Sequence, residues 1–211
     1  MHIFRSLPNP LTAQSKRFST LWKNLISRLK KSYTYEEKSA VARYLYILTL
    51  MALIVFLDIE NFVFVDECGV QNDFRRGRAR AKRGIRVHGT RPGKKPKRTN
   101  VVAGLWGRKH VAVRCYSHTT TSVFFEDWFE WELLSVIPKG SVIIMDNASF
   151  HRKKPLMAIA ARYGAYLLFL PAYSPDLNKI EPSWANLKRW LTDNYRRFFS
   201  LDFAIEQYFG V

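Results

Sequence analysis

Hydrophobic positions along the chain fall into short β-type runs and longer helical stripes, and their order predicts an α/β domain. Phe62 to Val65 is an apolar run that reads as a strand ending at Asp66. Asn100 to Trp106 and His110 to Tyr116, separated by Gly107, Arg108 and Lys109, read as a β-hairpin. Ser141 to Met145 is a buried-type strand ending at Asp146, and Ala165 to Leu170 is another. Helical patterns lie between them. Ser122 to Val136 puts Phe125, Trp128, Phe129 and Glu132 on one side, with Ser122 as its candidate cap, and Pro138-Lys139-Gly140 stops it. Lys153 to Tyr163 is a second helix, ended by Gly164. A long helix begins close to Pro182, which a first turn tolerates, and runs to about Tyr195, and Leu201 to Tyr208 forms a terminal one. Strands joined through helices pair in parallel, whereas the hairpin is antiparallel. The expectation is an α/β fold with a mixed sheet of about five strands flanked by helices.

The first sixty residues follow a different pattern. Residues 1–35 carry seven Lys and Arg and no acid, and Leu21, Trp22, Leu25 and Leu29 recur at helical spacing. This is a basic arm or linker, too small to be a domain. Tyr44 to Leu57 is a run of 14 uncharged, mostly apolar residues interrupted by Asp58 and Glu60. A membrane span needs about 20 such residues, so a buried helix or strand is expected here and no stable membrane association. Pro8 and Pro10 follow a weak apolar start, which argues against a secretory leader. The expected organisation is a basic arm with its apolar segment over 1–60 and a compact domain over 61–211, in the cytoplasm.

Composition narrows the class. The chain has 211 residues, 47% of them hydrophobic and 15% aromatic, which excludes a disordered chain. Cys68 and Cys115 are too few for a disulfide framework or a cysteine zinc site and suit a reducing compartment. The net charge of +17, from 34 Lys+Arg against 17 Asp+Glu, points to a polyanionic partner. Nucleic acid comes first, although ribosomal and membrane-surface proteins can be as basic. Between Phe74 and Arg98 there are twelve Lys and Arg and no acid, punctuated by Gly and Pro. Arg75, Arg76, Arg78, Arg80, Lys82, Arg83, Lys94, Lys95, Lys97 and Arg98 are therefore candidate contacts to DNA phosphates. A solvated basic hairpin has the same composition.

The acids supply the candidate chemistry. Asp66 follows FVFV and Asp146 follows VIIM, and a carboxylate ending an apolar strand is costly to bury unpaired. If the two strands are adjacent and parallel, the carboxylates meet and repel, and each raises the other's pKa. A divalent cation resolves that conflict, and Glu181, near the start of an amphipathic helix, can supply a third oxygen ligand. Two such ions, about 3.5–4 Å apart, would activate a water or a 3′-hydroxyl and stabilise the leaving oxygen. Taken singly, each acid reads equally as a cap, a salt-bridge partner or a surface charge. Asn147 could bond water or phosphate and His151 could orient the site or touch a scissile backbone, though each alone is commonly a turn residue. Glu67 points opposite to Asp66 if the strand persists, which makes it a secondary candidate.

Three motifs carry a resemblance. MDNASFH (Met145–His151), LPAYSPDLNKIEPSWANLKRWL (Leu170–Leu191) and VDECG (Val65–Gly69) resemble the mariner-type DDE transposases in their bacterial insertion-sequence branch, and 34 residues separate Asp146 from Glu181, as in that group. The likeness covers about Asn61 to Phe209 and, more loosely, Ser19 to Glu37. It implies an RNase H-like fold and an enzyme dependent on Mg²⁺, with Mn²⁺ as substitute, that cuts double-stranded DNA at its element's terminal inverted repeats. The 3′ ends are then joined to target DNA, typically at TA. Asp66, Asp146 and Glu181 resemble the three catalytic acids and metal ligands, with Asn147 and His151 as companions of the second. Tyr173, Ser174, Pro175 and Asn178 fall in the family's signature turn. Trp184 is expected to pack, and Lys188 or Arg189 to meet DNA. Lys179 stands where many relatives have proline. Such enzymes act as homodimers on DNA in the nucleoid, and full-length relatives carry a helix-turn-helix region for which this chain shows at most a trailing edge. A separately encoded helix-turn-helix partner is therefore part of the expectation. Two other readings use the same residues: an RNase H-like nuclease that cuts without joining, and a partial transposase that only binds DNA.

Overall fold

The computed structural model of the chain describes residues 38–56, 61–74, 82, 84, 86, 88, 93 and 96–211. The helical pattern at Ser19 to Lys31 and most of the basic stretch lie outside them. The elements are α1 (Ala40–Phe56), β1 (Phe62–Gln71), β2 (Arg98–Trp106) and β3 (Lys109–Tyr116), followed by α2 (122–136). Then come β4 (Val142–Met145), α3 (Lys153–Arg162), β5 (Tyr166–Phe169), α4 (Glu181–Asn194) and α5 (Leu201–Phe209). The sheet has five strands in the order β3-β2-β1-β4-β5. The hairpin strands are antiparallel to each other and to β1, while β1, β4 and β5 run parallel. This is the expected mixed sheet flanked by helices.

Alternation along β1 divides the core into two layers. Phe62, Phe64, Cys68 and Val70 face one way and meet Trp184, Leu187 and Leu191 of α4 and Ala204 and Ile205 of α5. Val63 and Val65 face the other way, against Phe125, Trp128, Phe129 and Leu133 of α2 and Leu156 of α3. The apolar run at Tyr44 to Leu57 forms most of α1. Tyr46 is buried, and Ile47, Leu50, Leu53 and Ile54 pack against the α4 layer. Val41, Tyr44, Leu45, Leu48, Val55 and Phe56 on its other side are exposed. Arg43 anchors this helix through two hydrogen bonds to Asp176, at 3.1 and 2.7 Å. Among the described residues, no helix is long and apolar enough to cross a membrane.

Several sequence expectations shift. The first strand does not end at Asp66 but continues to Gln71. Its parallel ladder with β4 stops at Phe64–Ile144, whereas its antiparallel ladder with β2 continues to Gln71–Arg98. Pairing on one side alone thus keeps the polar second half extended. The cap of α2 is Thr121 rather than Ser122, since the Thr121 hydroxyl accepts the Phe124 N–H at 3.2 Å. Within α2, α-helical turns at Ser122–Trp128 and Leu134–Val136 flank a π-helical stretch, Phe129–Leu133. Gly164, at φ +70°, follows α3 as its pattern required. In β3 an extra residue opposite Val102–Gly104 makes a bulge, where Ala112 has φ +51° and its carbonyl accepts the Trp128 indole N–H at 2.8 Å.

The π stretch and the bulge both crowd Gly104. A Cβ there would stand 2.8 Å from Leu133 Cδ1, 3.1 Å from Val111 Cγ2 and 3.2 Å from Val63 Cγ1. Gly104→Ala is expected to destabilise the domain by about 1–3 kcal/mol through overpacking, read as a lower urea midpoint at unchanged slope.

Candidate functional site

The site opens where β1 and β4 part. β4 ends at Met145, so Asp146 leaves the sheet at its carboxyl end, while β1 carries Asp66 past the last parallel pair. The third acid, Glu181, begins α4, with Pro182 in the first turn. The turn leading to it is fixed by Asn178, a buried side chain whose Nδ2 donates to the Val65 carbonyl at 3.1 Å. Asp66, Asp146 and Glu181 all line one open cleft of about 410 Å³, together with Asn147, Tyr173 and Pro175.

Each acid has a different electrostatic setting. Asp66 Oδ2 accepts the Trp184 indole N–H at 2.9 Å. Burial first, and then the charges of Glu181 and Glu67, push the Asp66 carboxyl up to about 7, against the Trp184 bond and a backbone N–H. Asp146 goes the other way. Burial pushes its carboxyl up, but the His151 ring and the Ala148 N–H, at 3.0 Å each, hold it below the usual range. Partial burial raises the Glu181 carboxyl; the Lys188 charge opposes that rise and Asp146 adds to it. The cleft therefore holds one carboxylate with its charge well supported and two that ionise reluctantly.

His151 is closed off from solvent, with 1% of its side chain exposed, and its ring sits 4.2 Å from that of Phe125. Burial disfavours its charge, but hydrogen bonds to Asp146 and Glu67 outweigh that and raise its pKa to about 9. Asn147 Nδ2 donates to the Leu170 carbonyl, tying the end of β4 to the end of β5. One contribution escaped the sequence reading. Trp184, expected only to pack, also holds Asp66; its place one helical turn after Glu181 was the available signal. Glu67, the secondary candidate, lies on the opposite face of β1 and bonds His151.

The basic candidates separate. Arg75, Arg76, Arg78, Arg80, Arg83, Lys94 and Lys95 lie outside the described residues. Lys82, Lys97, Arg98, Lys188 and Arg189 are exposed. Arg98 and Lys188 line a second cleft of about 350 Å³ with Gly69, Gln71, Asp73 and Thr192.

Among the described residues, no three acids, histidines or cysteines are already gathered as a metal-ligand set. The chemistry of the cleft nonetheless fits a divalent cation. Its donors are hard carboxylate oxygens, and burial makes Asp66 and Glu181 reluctant to ionise, with neighbouring acids adding to the rise, so a cation placed between them would favour their charged forms.

Because the Asp66 pKa is raised from 3.8 to about 7 on folding, ionising it costs stability. That cost is absent below the unfolded value, grows as pH rises, and is complete above about 7. Asp66→Asn is therefore expected to leave the metal-free protein nearly unchanged near pH 4 and to stabilise it by on the order of 4 kcal/mol at pH 8. Denaturant titrations at the two pH values check this, and equal effects at both would refute it.

The comparisons with known proteins agree with this architecture. No curated protein sequence matches the chain significantly. Among solved structures, the Mos1 transposase in a paired-end complex with the left transposon end aligns with TM-score 0.60 at 15% identity, covering 86% of this chain and 59% of that one. The catalytic domain of Mos1 mariner transposase aligns with TM-score 0.58 at 13% identity, covering 87% of this chain and 86% of that one. The Mos1 strand transfer complex gives TM-score 0.58 at 15% identity over 95% of this chain and 68% of that one. At such identities the likeness shows the fold, which is RNase H-like, and the chain spans 59% of the first of these transposases. The family model described as DDE superfamily endonuclease matches residues 61–202, about two thirds of the sequence, and the chain therefore belongs to the DDE superfamily endonucleases.

Proposed function

We propose that this chain is the catalytic domain of a mariner-type transposase of the bacterial insertion-sequence branch. In this reading it cuts double-stranded DNA at terminal inverted repeats and joins the 3′-hydroxyl ends to target DNA, typically at TA. The observation that carries the reading is the meeting of Asp66, Asp146 and Glu181 in one cleft at the point where β1 and β4 separate. Membership of the DDE superfamily supports it, as does likeness of fold to proteins solved as transposon-end complexes.

Asp66, Asp146 and Glu181 would hold Mg²⁺, or Mn²⁺ in its place, with two ions expected. Bound there, the ions would favour ionisation of an attacking water or 3′-hydroxyl and stabilise the departing oxygen. The chain's own residues supply orientation. Trp184 fixes one Asp66 oxygen, and His151 with the Ala148 N–H fixes Asp146. Lys188 and Arg98, along the neighbouring cleft, would meet phosphates on a strand leaving the site. The basic stretch from Arg75 to Arg98 would add further backbone contacts. Phosphate contacts fix register and do not read sequence. The working form is taken to be a homodimer on the nucleoid in the cytoplasm, with the basic N-terminal stretch as the arm and α1, within the 1–60 segment, packed as part of the catalytic domain.

Pre-cleaved terminal-repeat DNA, incubated with target plasmid and Mg²⁺ or Mn²⁺, tests this reading. Joined product is expected with the unmodified chain and should fall by about a hundredfold or more with Asp146→Asn. Cleavage without joining would identify a nuclease instead. Joining unaffected by the substitution would remove Asp146 from the site. DNA binding should survive the substitution and weaken steeply as salt rises.

A further inference from the structure

Asp66 and Glu67 are consecutive on β1 and so point to opposite faces of the sheet. Asp66 lines the cleft; Glu67 does not. Beyond the end of β4, the chain turns through Asn147 to Phe150 and places His151 beneath the sheet end, on the Glu67 side. There its Nε2 lies 3.1 Å from Glu67 Oε1, and its Nδ1 lies 3.0 Å from Asp146 Oδ1. A three-membered chain, Glu67–His151–Asp146, thus runs from the far face of β1 round the end of β4 and into the cleft.

The arrangement is a built one. His151 is 1% exposed and Glu67 15%, and Phe125 and Phe150 stand 4.2 and 4.4 Å from the imidazole, centroid to centroid. Nε2 faces the Glu67 carboxylate, and Nδ1 faces both the Asp146 carboxylate, at 3.0 Å, and the Asp146 backbone carbonyl, at 3.3 Å, so rotating the ring away would strand two buried ring nitrogens. Half of the Asp146 side chain is exposed to the cleft, and it follows the last residue of β4 with no strand partner of its own. The Ala148 N–H alone would hold one oxygen of this carboxylate; His151 adds a second constraint on its rotamer, and a ligand that must be ordered on binding binds more weakly. The hydrogen-bonding partners of a ligating carboxylate supply that order.

We propose that Glu67 is a positioning residue: through His151 it fixes the Asp146 carboxylate for a divalent cation, although it does not line the cleft itself. The inference rests on the reading of Asp146 as a metal ligand. It assigns the two neighbouring acids of VDECG different tasks, one direct and one relayed around the sheet end.

Calorimetric titration of Mn²⁺ into the full chain tests the relay without requiring turnover. Glu67→Ala is expected to weaken Mn²⁺ binding about tenfold. Glu67→Gln, which keeps an oxygen acceptor for Nε2 but removes the charge, should stay within about threefold of the unmodified chain. In a His151→Ala background, confirmed as folded by circular dichroism, adding Glu67→Ala should change binding by less than about twofold, because the intermediary is already gone. Unchanged binding in Glu67→Ala, equal losses in Glu67→Gln and Glu67→Ala, or effects of the two alanine substitutions that multiply would each overturn the relay. Asp146→Asn separates the two levels of the argument. If it binds Mn²⁺ normally, the metal-site reading falls and the relay with it; if it loses binding while Glu67→Ala does not, the relay alone falls.

Discussion

The parallel ladder between β1 and β4 is short, and the site depends on where it stops. Pairing begins at Phe62–Val142 and ends at Phe64–Ile144, yet β1 stays extended to Gln71 because β2 pairs with it throughout. Beyond Ile144 the sheet therefore has a gap beside a strand still held rigid on its other edge. Asp66 faces that gap from β1, and Asp146 leaves β4 into it. Glu181 approaches from above, carried by a turn that Asn178 bonds to Val65. A longer ladder would fill the gap with backbone, and a shorter β1 would leave Asp66 on a loop. Either change would separate acids that belong to elements distant in sequence.

Charge in this gap is arranged unevenly. Asp146 is stabilised as an anion by His151 and the Ala148 N–H, whereas Asp66, more buried and close to two other acids, is driven up to about 7. One carboxylate is thus readily ionised and another is held at the expense of stability, a conflict that a cation would relieve. Functional sites commonly keep such strained electrostatics. The two core layers supply the surrounding rigidity. Trp184 belongs to one and donates to Asp66; Phe125 belongs to the other and packs on His151. Each catalytic-side carboxylate is therefore referenced to a different face of the sheet.

Most of this architecture was legible in the chain because hydrophobic alternation and stop residues reflect local geometry. VIIM before Asp146, the Gly107 hairpin, Gly164 after α3 and Pro182 at the start of α4 each announce their element. The continuation of β1 was hidden, since Glu67, Cys68 and Gly69 lack an apolar alternation and are held extended by a partner about 30 residues away. Thr121 and Ser122 are both able caps, and only the direction of the incoming chain selects between them. The π stretch in α2 has no sequence signature, and it carries Leu133, which lies close over Gly104. At the site, residue types and the 34-residue spacing from Asp146 to Glu181 pointed to the three acids. The partners of those acids were less visible. Trp184 and Glu67 act through contacts 118 and 84 residues apart in sequence, which no local pattern records.

Asp66 and Asp146 line the same cleft, and under the proposed function they share a cation there. The most direct measurement is anomalous diffraction at the manganese edge from crystals grown with Mn²⁺. A peak between the Asp66 and Asp146 carboxylates is expected, with Glu181 at the same cleft and His151 still bonded to Asp146. Anomalous density elsewhere on the chain, with the cleft empty at saturating Mn²⁺, would contradict it.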